Sequence, residues 1–223
     1  PAELEVLLDR TFGALPAHAA PVTVPQSDPR EPGALLLVRK HIPQSVVTFG
    51  EVGIKRNDPD WYAAYLDNYV LGGGGFSSRL MNEVREKRGL AYGVGSYLVP
   101  LKDGAVILGG VATQNARVAD SIAVIRQEWQ RMHDSGVTQD ELNDAKTYVS
   151  GSYALQFTSS SAIASVLLGL QLEELGIDYI DKRDKEISAV TLNDVNRIAK
   201  SMLTPDKLTV VVVGKPDGIV AKP

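Results

Sequence analysis

The chain has 223 residues, enough for one large domain or two small ones, and its 44% hydrophobic and 22% charged content is ordinary for a globular protein. The net charge of −4 gives no electrostatic reason to expect a nucleic acid or an anionic membrane as partner. No apolar run approaches the roughly 20 residues that a membrane-spanning helix needs. The lack of cysteine excludes disulfides and thiolate chemistry, and it leaves the redox compartment open.

The chain opens with a predicted helix over residues 2–12, whose apolar side chains fall on one face, and Gly13 follows as a stop signal. The composition then changes, because residues 16–33 hold five prolines among small and polar residues. This segment has neither helix nor strand periodicity, so we expect an extended linker. The apolar face of the helix consists of Leu4, Leu7, Leu8 and Phe12.

Four strands are predicted before the helical part of the chain. Residues 34–39 form an apolar run suited to a buried strand, and residues 44–54 form another. Asp60 then precedes a helical pattern and is predicted to cap it. Residues 94–101 and 105–113 are predicted to pair as a hairpin. Its connection, longer than two residues, would consist of Lys102, Asp103 and Gly104.

Two long helices follow the hairpin. Asn115 is predicted to cap the first and Gly136 to end it. Thr138 and Glu141 have the spacing of a capping box, so they predict the start of the second helix. The first helix has the strongest amphipathic pattern in the chain. Its apolar residues recur at intervals of 4, 3, 4 and 3, at Val118, Ile122, Ile125, Trp129 and Met132.

Three more helices and a strand complete the chain. The third helix is predicted over residues 159–176 and the fourth over residues 179–188. Thr191 is expected to cap the fifth, which Pro205 closes. Residues 208–213 are apolar apart from Thr209 and therefore predict a central strand. The third helix is expected to bury Ile163, Val166, Leu167, Leu170 and Leu175.

Residues 71–97 are the most informative stretch. A run of four glycines, residues 72–75, precedes a helical pattern, and Gly89 sits where a helix ends on a residue with positive φ. A strand pattern begins directly after this glycine. This order predicts that Arg85, in the last helical turn, and Tyr92, at the strand start, lie in one neighbourhood. Strand alternation predicts one shared direction for Tyr92, Val94, Ser96 and Leu98.

The glycine run does not have the context of a phosphate-binding loop. It follows a helical pattern rather than a strand, and no Gly-Lys-Ser/Thr follows it. We expect these glycines to permit close backbone approach at a helix–helix turn. Gly93 and Gly95, two apart in the strand, are likewise expected to leave room for a neighbouring backbone.

The sequence offers no zinc-binding motif. Its three histidines are His18, His41 and His133, and none has a second histidine or a glutamate at metal-ligand spacing. Neither H-E-x-x-H nor H-x-x-E-H occurs. Each histidine is expected to be an ordinary surface or loop residue.

The order and spacing of residues 71–97 resemble the signature of the second half-domain of pitrilysin-type (M16) zinc metallopeptidases. That family includes insulin-degrading enzyme, the mitochondrial processing peptidase and small bacterial zinc proteases. In it, an Arg and a Tyr seven positions apart face the active cleft. Arg85 and Tyr92 have this spacing inside REKRGLAY, and the glycine run and the helix before them also match.

The resemblance implies that Tyr92 donates a hydrogen bond to the scissile carbonyl oxygen of a peptide and that Arg85 holds the carbonyls of its backbone. Zinc is expected on a partner half, in the same longer chain or on a separate subunit, so this chain binds no metal and is inactive alone. From the residues themselves, Tyr92 could be a half-buried sheet tyrosine. Arg85 could simply favour a helix C-terminus, as Lys87 and Arg88 do. Substrate capture is expected at Gly72, Gly73, Gly74, Gly75, Phe76 and Ser77.

The order of elements predicts an α+β fold with one antiparallel sheet and helices packed on one face, which is the half-domain fold of the resembled family. Residues 1–16 are interpreted as the trailing helix of a missing N-terminal half, residues 17–33 as the linker and residues 34–223 as the inactive, C-terminal type of domain. The alternative is a natural single-domain chain with an N-terminal helix.

Two functions remain open at this point. The chain is either the substrate-side half of a zinc peptidase or a non-catalytic scaffold of the same fold, as some relatives are. The retained Arg85 and Tyr92 favour the peptidase. Bacterial relatives occur in both periplasm and cytoplasm, so the compartment and the substrate stay undetermined.

Overall fold

A computed structural model describes residues 2–18, 22–25 and 32–219. Two π-helical turns, Tyr69–Gly73 and Met81–Glu86, flank a 3₁₀ turn, Gly75–Ser77, between the second helix and the third strand. The longer elements, in chain order, are α1 (Ala2–Phe12), β1 (Leu35–Arg39), β2 (Gln44–Val52), α2 (Trp61–Asn68), β3 (Ala91–Leu101), β4 (Gly104–Gln114), α3 (Val118–Ser135), α4 (Gln139–Gly151), α5 (Ser160–Leu172), α6 (Tyr179–Ala189), α7 (Leu192–Met202) and β5 (Thr209–Gly214).

The strands form one five-stranded sheet in the order β1-β5-β2-β4-β3. The predicted α+β class with a helix-covered sheet is confirmed, and β5 lies inside the sheet as its apolar sequence indicated. The sheet is mixed rather than wholly antiparallel. β5 returns after the helices to run parallel to β1, whereas every other neighbouring pair is antiparallel.

The core lies between one sheet face and the helices. Alternate residues of the strands point into it, and Phe49 of β2 meets Trp129 of α3 edge to face, with ring centroids 5.8 Å apart. Burying side chains of this size contributes about 1.5–3 kcal/mol each. The buried residues on the inner sheet face include Val47, Phe49, Ile107, Val111, Val210 and Val212.

The opposite side of the sheet, here called the open sheet face, remains accessible to solvent. Val46 and Val52 of β2 are each 47% exposed, and Leu36 and Val38 of β1 are similarly exposed. β1 was expected to be buried, and this expectation is wrong because β1 is an edge strand with one face uncovered.

The structure tests three of the predicted helix caps. The Thr138 and Glu141 capping box is present at the start of α4. The expected caps at Asp60 and Asn115 do not form. Asp60 pairs instead with Arg197 of α7 through bonds of 2.6 and 2.7 Å. Asn115 accepts a hydrogen bond from Ser45 at 2.7 Å, so in both cases a distant partner replaced the local backbone.

Two further expectations are corrected. Leu101 pairs with Gly104, so the hairpin connection is only Lys102 and Asp103, shorter than expected. The third predicted helix ends at Leu172, before the expected stop, and buries none of its residues. Of the side chains expected to be buried, Ile163 and Leu167 are exposed, whereas Val166, Leu170 and Leu175 are half-buried.

The N-terminal helix is confirmed at Ala2–Phe12, and none of its residues is buried. The predicted linker falls partly outside the described residues. Its described parts contain neither helix nor strand. Within the described ranges, no single helix is long and apolar enough to cross a membrane; only Gln139–Phe157 with Ser160–Leu172, bent by 119°, meets both criteria as a pair.

Candidate functional site

Arg85, Phe76 and Tyr92 form one cluster at the surface, in which the two rings are exposed and Arg85 is half-buried. The guanidinium carbon of Arg85 lies 4.6 Å from the ring centroid of Phe76 and 4.7 Å from that of Tyr92. Phe76 is 68% exposed and Tyr92 is 86% exposed. Contact between a guanidinium and aromatic ring faces is attractive, by about 0.5–1 kcal/mol at exposed sites. The cluster therefore presents a fixed cation and a phenol to the outside of the domain.

A tight helix stop brings Arg85 and Tyr92 together. Gly89 has the positive φ of 56° that the sequence predicted. Its N–H donates to the carbonyl of Arg85 at 2.8 Å, and the N–H of Leu90 donates to that of Val84 at 2.9 Å. Such reverse bonds close a helix on a left-handed residue. The chain then turns directly into β3, which starts beside the turn that holds Arg85.

A β-bulge turns Tyr92 outward. The ladder between β3 and β4 pairs Ala91 with Thr113 and Val94 with Val111, with a register shift between the two pairs. Val94 is 6% exposed, so Tyr92 and Val94 do not point the same way and the simple alternation predicted for this strand is wrong. A bulge adds a residue on one strand and re-aims its neighbours. The interpretation of Tyr92 as a half-buried sheet residue is therefore excluded.

Arg85 differs from the two basic residues that follow it. Lys87 and Arg88 both bond to Glu83, at 2.6 and 2.5 Å. Their hydrogen bonds hold the pKa of Glu83 below its usual value. Arg85 has one loose carboxylate contact, 3.5 Å to Glu86. Its guanidinium donates no hydrogen bond to any described residue, which leaves its donors available to a ligand.

The glycine run approaches the edge strand closely. A Cβ on Gly72 would lie 2.3 Å from the Ser96 Oγ and 2.6 Å from the Ser96 backbone nitrogen, and a Cβ on Gly95 would lie 3.1 Å from the Gly72 carbonyl oxygen. The expected close approach is real, but its partner is β3 rather than another helix. Gly93 has open space around it, so the role expected for it is wrong.

The residues expected to capture substrate have mixed exposure. Gly72 is buried against β3, whereas Gly73, Gly75, Phe76 and Ser77 are exposed, and Gly74 is half-buried. The run is thus not a free loop. It continues α2 as a π-helical turn and then delivers Phe76 to the cluster through the 3₁₀ turn.

Three buried polar residues hold this region, and their contacts were not predicted. The Ser96 hydroxyl donates to the Asn68 side chain at 2.7 Å, and the Asn68 amide donates to the Ser96 carbonyl at 3.3 Å. This reciprocal pair joins the end of α2 to β3. Arg79, which precedes the turn of Arg85, is only 8% exposed. Its partner is Glu141, which the sequence indicated only as a member of the capping box.

The described residues contain no group of three His, Cys, Asp or Glu side chains arranged to hold a metal ion. The Nδ1 atom of His133 lies 2.7 Å from the carbonyl oxygen of Leu203, so this histidine serves a packing contact between α3 and the end of α7. These residues do not fit a catalytic metal.

The described residues thus combine a helix-backed sheet with a surface cluster of Arg85, Phe76 and Tyr92. Residues 1–149 match the family model described as the peptidase M16 inactive domain. The chain therefore belongs to the peptidase M16 family, and the resemblance seen in the sequence is confirmed.

Relatives and a solved structure agree with this assignment. The chain is 32% identical over 197 residues to an uncharacterized zinc protease of Streptomyces coelicolor, covering 86% of this chain and 42% of that protein. It is 28% identical over 175 residues to a non-peptidase homolog of Helicobacter pylori, covering 78% and 40%. The crystal structure of a peptidase M16 inactive domain from Pseudomonas fluorescens superimposes with a TM-score of 0.82 at 30% identity, over all of this chain and 52% of that one. The chain thus spans less than half the length of these curated relatives.

Proposed function

We propose that this chain is the substrate-side half of a two-half zinc metallopeptidase. It binds a peptide and stabilises the oxyanion, while a separate half supplies the zinc ion and the general base. The observation that carries the proposal is the exposed contact of Arg85 with Phe76 and Tyr92. An exposed phenol lies next to a guanidinium whose one carboxylate contact is loose, and polar groups of this kind are suited to a peptide backbone.

Tyr92 has the group that such a reaction needs from the facing half. Its hydroxyl is a hydrogen-bond donor held on a strand, so it can meet the scissile carbonyl oxygen as negative charge develops there. A donor held in place before the reaction costs no reorganisation when the charge forms. The stacking of its ring on Arg85 restricts the ring and so favours one position of the hydroxyl.

Arg85 is suited to hold the peptide rather than to react with it. The guanidinium is planar, always charged and presents its donors as a rigid fork. The flanking rings fix its plane and leave its edges to the ligand. Carbonyl oxygens of an extended peptide are acceptors of the matching kind. Phe76 and the exposed glycines beside it supply an uncharged surface for the adjacent side chains.

Zinc belongs to the other half in this proposal, because the described residues do not fit a metal site. Relatives named zinc proteases support that division. The zinc ion would supply a metal-bound water, and the chain described here would position the peptide against it. Alone, the chain is expected to hydrolyse nothing.

The test uses the assembled enzyme, with the zinc-binding half present. Arg85→Ala and Tyr92→Phe should each lower the rate of peptide hydrolysis about tenfold or more. Arg88→Ala is the matched control, because Arg88 belongs to the same turn but is paired with Glu83. Wild-type rates in both site variants would refute the assignment, provided that each variant assembles normally with the zinc half.

A second candidate is a non-catalytic domain that serves assembly. The observation in its favour is the relative named a non-peptidase homolog in Helicobacter pylori. Under this alternative, an assembly containing the chain would bind peptides weakly or not at all, and Arg85→Ala would change neither hydrolysis nor peptide binding. An H-x-x-E-H motif in a companion half favours the peptidase, and its absence favours the scaffold.

A further inference from the structure

A cavity of about 290 Å³, here called the α2–α5 cavity, lies between these two helices. Its volume is just below the roughly 300–1,000 Å³ of sites that bury drug-sized ligands, so it suits a smaller molecule. No residue of α5 is fully buried, which agrees with loose packing of this helix over the space. Val166, Gly169 and Leu170 of α5 line the cavity and leave room for a ligand beneath the helix.

Aromatic rings form much of the cavity wall. Trp61 and Tyr65 of α2 stack, with their ring planes 23° apart and their centroids 6.3 Å apart. Flat rings of this kind pack well against another ring or against a branched apolar group. The wall therefore favours a ligand with an apolar body. The aromatic residues that line it are Trp61, Tyr62, Tyr65, Tyr153 and Tyr179.

Arg56 gives the cavity a half-buried cation with unused hydrogen-bond donors. Its Nη2 donates to the hydroxyl of Tyr179 at 2.8 Å, which is its one hydrogen bond among the described residues, and no described carboxylate forms an ion pair with it. The ring centroids of Trp61 and Tyr179 lie 4.6 and 5.3 Å from its guanidinium carbon. The N–H donors of a guanidinium all lie in its plane, so an acceptor can approach at the edge that the rings leave open.

A second guanidinium and a phenol without a hydrogen-bond partner line the same cavity. Arg183 is 5% exposed, and its guanidinium carbon lies 4.0 Å from the ring centroid of Tyr153. The buried hydroxyl of Tyr153 has no hydrogen-bond partner among the described residues. Burial raises the pKa of this phenol, so it remains a donor at neutral pH, and the charges of Arg183 and Arg56 are both near enough to oppose the shift. A buried donor without a partner is unfavourable, and an incoming acceptor would satisfy it.

Charge favours this cavity over the wider cleft that Arg56 also lines. That cleft has a volume of about 650 Å³, and carboxylates such as Asp58, Asp178 and Glu186 line it. The α2–α5 cavity has one acidic residue in its lining, Glu173, which is exposed. The two guanidinium groups outnumber this carboxylate, so an anion is better accommodated in the cavity than in the cleft.

We propose that the α2–α5 cavity binds a small organic anion, namely a carboxylate attached to an aromatic or branched apolar body. The carboxylate accepts hydrogen bonds from the edge of Arg56 and from the hydroxyl of Tyr153, and the apolar body lies between the rings of α2 and the aliphatic side chains of α5. Hydrogen bonds from a guanidinium to a carboxylate are among the strongest in proteins. The site shares no residue with the cluster of Arg85, Phe76 and Tyr92.

Isothermal titration calorimetry of the full chain with 3-phenylpropanoate tests this site. We expect one molecule to bind per chain with a Kd below about 1 mM. The amide 3-phenylpropanamide keeps the ring and lacks the charge, so it should bind at least tenfold more weakly. The tetrapeptide Gly-Gly-Gly-Phe presents the same ring and carboxylate at a chain end. Tighter binding of the free acid identifies a small acid as the ligand, and tighter binding of the tetrapeptide identifies a peptide terminus; either result supports the anion site.

Two variants establish where the acid binds. Gly169→Leu should fill the cavity, because Gly169 lines it and a Cβ at this position would meet no atom within 4 Å. This change keeps every polar group and replaces a glycine inside a helix, so the fold should persist while the affinity falls at least tenfold. Arg56→Gln removes the cation and should weaken binding as much. Arg197→Gln is the matched control, since Arg197 pairs with Asp60 and does not line the cavity.

Three outcomes would overturn the inference. One is the lack of saturable binding by both the free acid and the tetrapeptide up to about 10 mM. Another is equal affinity for the acid and the amide, since the ring alone would then explain binding. The third is wild-type affinity in Gly169→Leu or in Arg56→Gln, with the fold verified by circular dichroism, which would place the acid elsewhere. None of these measurements involves peptide hydrolysis, so the result is independent of the proposed function.

Discussion

Arg79 and Glu141 are joined by two hydrogen bonds of 2.7 Å, from Nε and Nη2 of the guanidinium to the two carboxylate oxygens. Burial opposes ionisation of Glu141, but the bonds from Arg79 and Thr138 outweigh it and lower its pKa to about 2. Arg79 also donates to the Gly136 carbonyl at 3.0 Å. The pair thus links the turn that leads to Arg85 with the start of α4.

Removal of this guanidinium should destabilise the domain. Arg79→Met leaves Glu141 without its partner and the Gly136 carbonyl without its donor, which should cost about 2–3 kcal/mol of unfolding free energy. Urea denaturation measures this. Arg197→Met is the matched control, since its pair with Asp60 is more exposed and should matter much less. Equal losses in the two variants would contradict the role assigned to Arg79.

Glu51 should make stability depend on pH. Burial raises its pKa to about 7, although hydrogen bonds from Trp129 and Thr204 oppose the shift. The folded state therefore holds this proton more tightly than the unfolded state, whose value is near 4.5. The resulting stabilisation is complete below pH 4.5 and is lost as the pH rises through 7. It corresponds to about 3 kcal/mol at most.

Glu51→Gln removes this titration while keeping an acceptor for Trp129 and Thr204. Urea unfolding of the wild type at a series of pH values from 4.5 to 8 should show a steady loss of stability, and the variant should show a flatter profile. Parallel profiles for the two proteins would show that Glu51 does not titrate in this range.

Asp67 should extend this loss of stability to about pH 8. It is fully buried, both of its carboxylate oxygens lack a hydrogen-bond partner among the described residues, and burial raises its pKa to about 8 despite the nearby charge of Arg79. Its proton is retained at neutral pH, whereas the carboxyl of the unfolded chain titrates near 3.8, so this group lowers stability as the pH rises from about 4 through 8 and adds no further loss above that range. Asp67→Asn should remove this contribution, most visibly between pH 7 and 8, above the range in which Glu51 titrates. A variant that still declines like the wild type would contradict this explanation.

Substitution of the glycine run should lower stability at both ends, and more at Gly72 than at Gly75. Gly72→Ala brings a Cβ to within 2.6 Å of the Ser96 backbone, which should cost about 1–3 kcal/mol through displacement of the turn. Gly75→Ala meets open space, so only its positive φ of 57° opposes the change, at about 1–2 kcal/mol. Thermal unfolding distinguishes the two. Gly72→Ala should also weaken peptide binding in the assembled enzyme, because the displaced turn carries Phe76.

The sequence was most informative where one residue decides the geometry locally. Gly89 and Gly136 both have the positive φ that a helix end requires. The capping box of Thr138 and Glu141 depends on four consecutive residues and is present. The segment that places Arg85 near Tyr92 spans only seven positions and one tight turn. Their proximity could therefore also be predicted from the local sequence.

Predictions failed where the deciding partner is far away in the chain. Asp60 has the chemistry of a helix cap, but Arg197 lies close enough in the fold to take both carboxylate oxygens. The bulge that turns Tyr92 outward depends on how β3 aligns with β4, which strand alternation alone does not contain. The uncovered side of β1 likewise follows from its place at the sheet edge.

The central claim is that Tyr92 stabilises charge in the transition state. The most direct measurement is steady-state peptide hydrolysis by the assembled enzyme with Tyr92→Phe, compared with Tyr97→Phe, which alters an exposed tyrosine of the same strand. We predict that Tyr92→Phe lowers kcat by about 10²–10³ with little change in KM, and that Tyr97→Phe changes neither. A Tyr92→Phe enzyme with wild-type kcat would contradict the account.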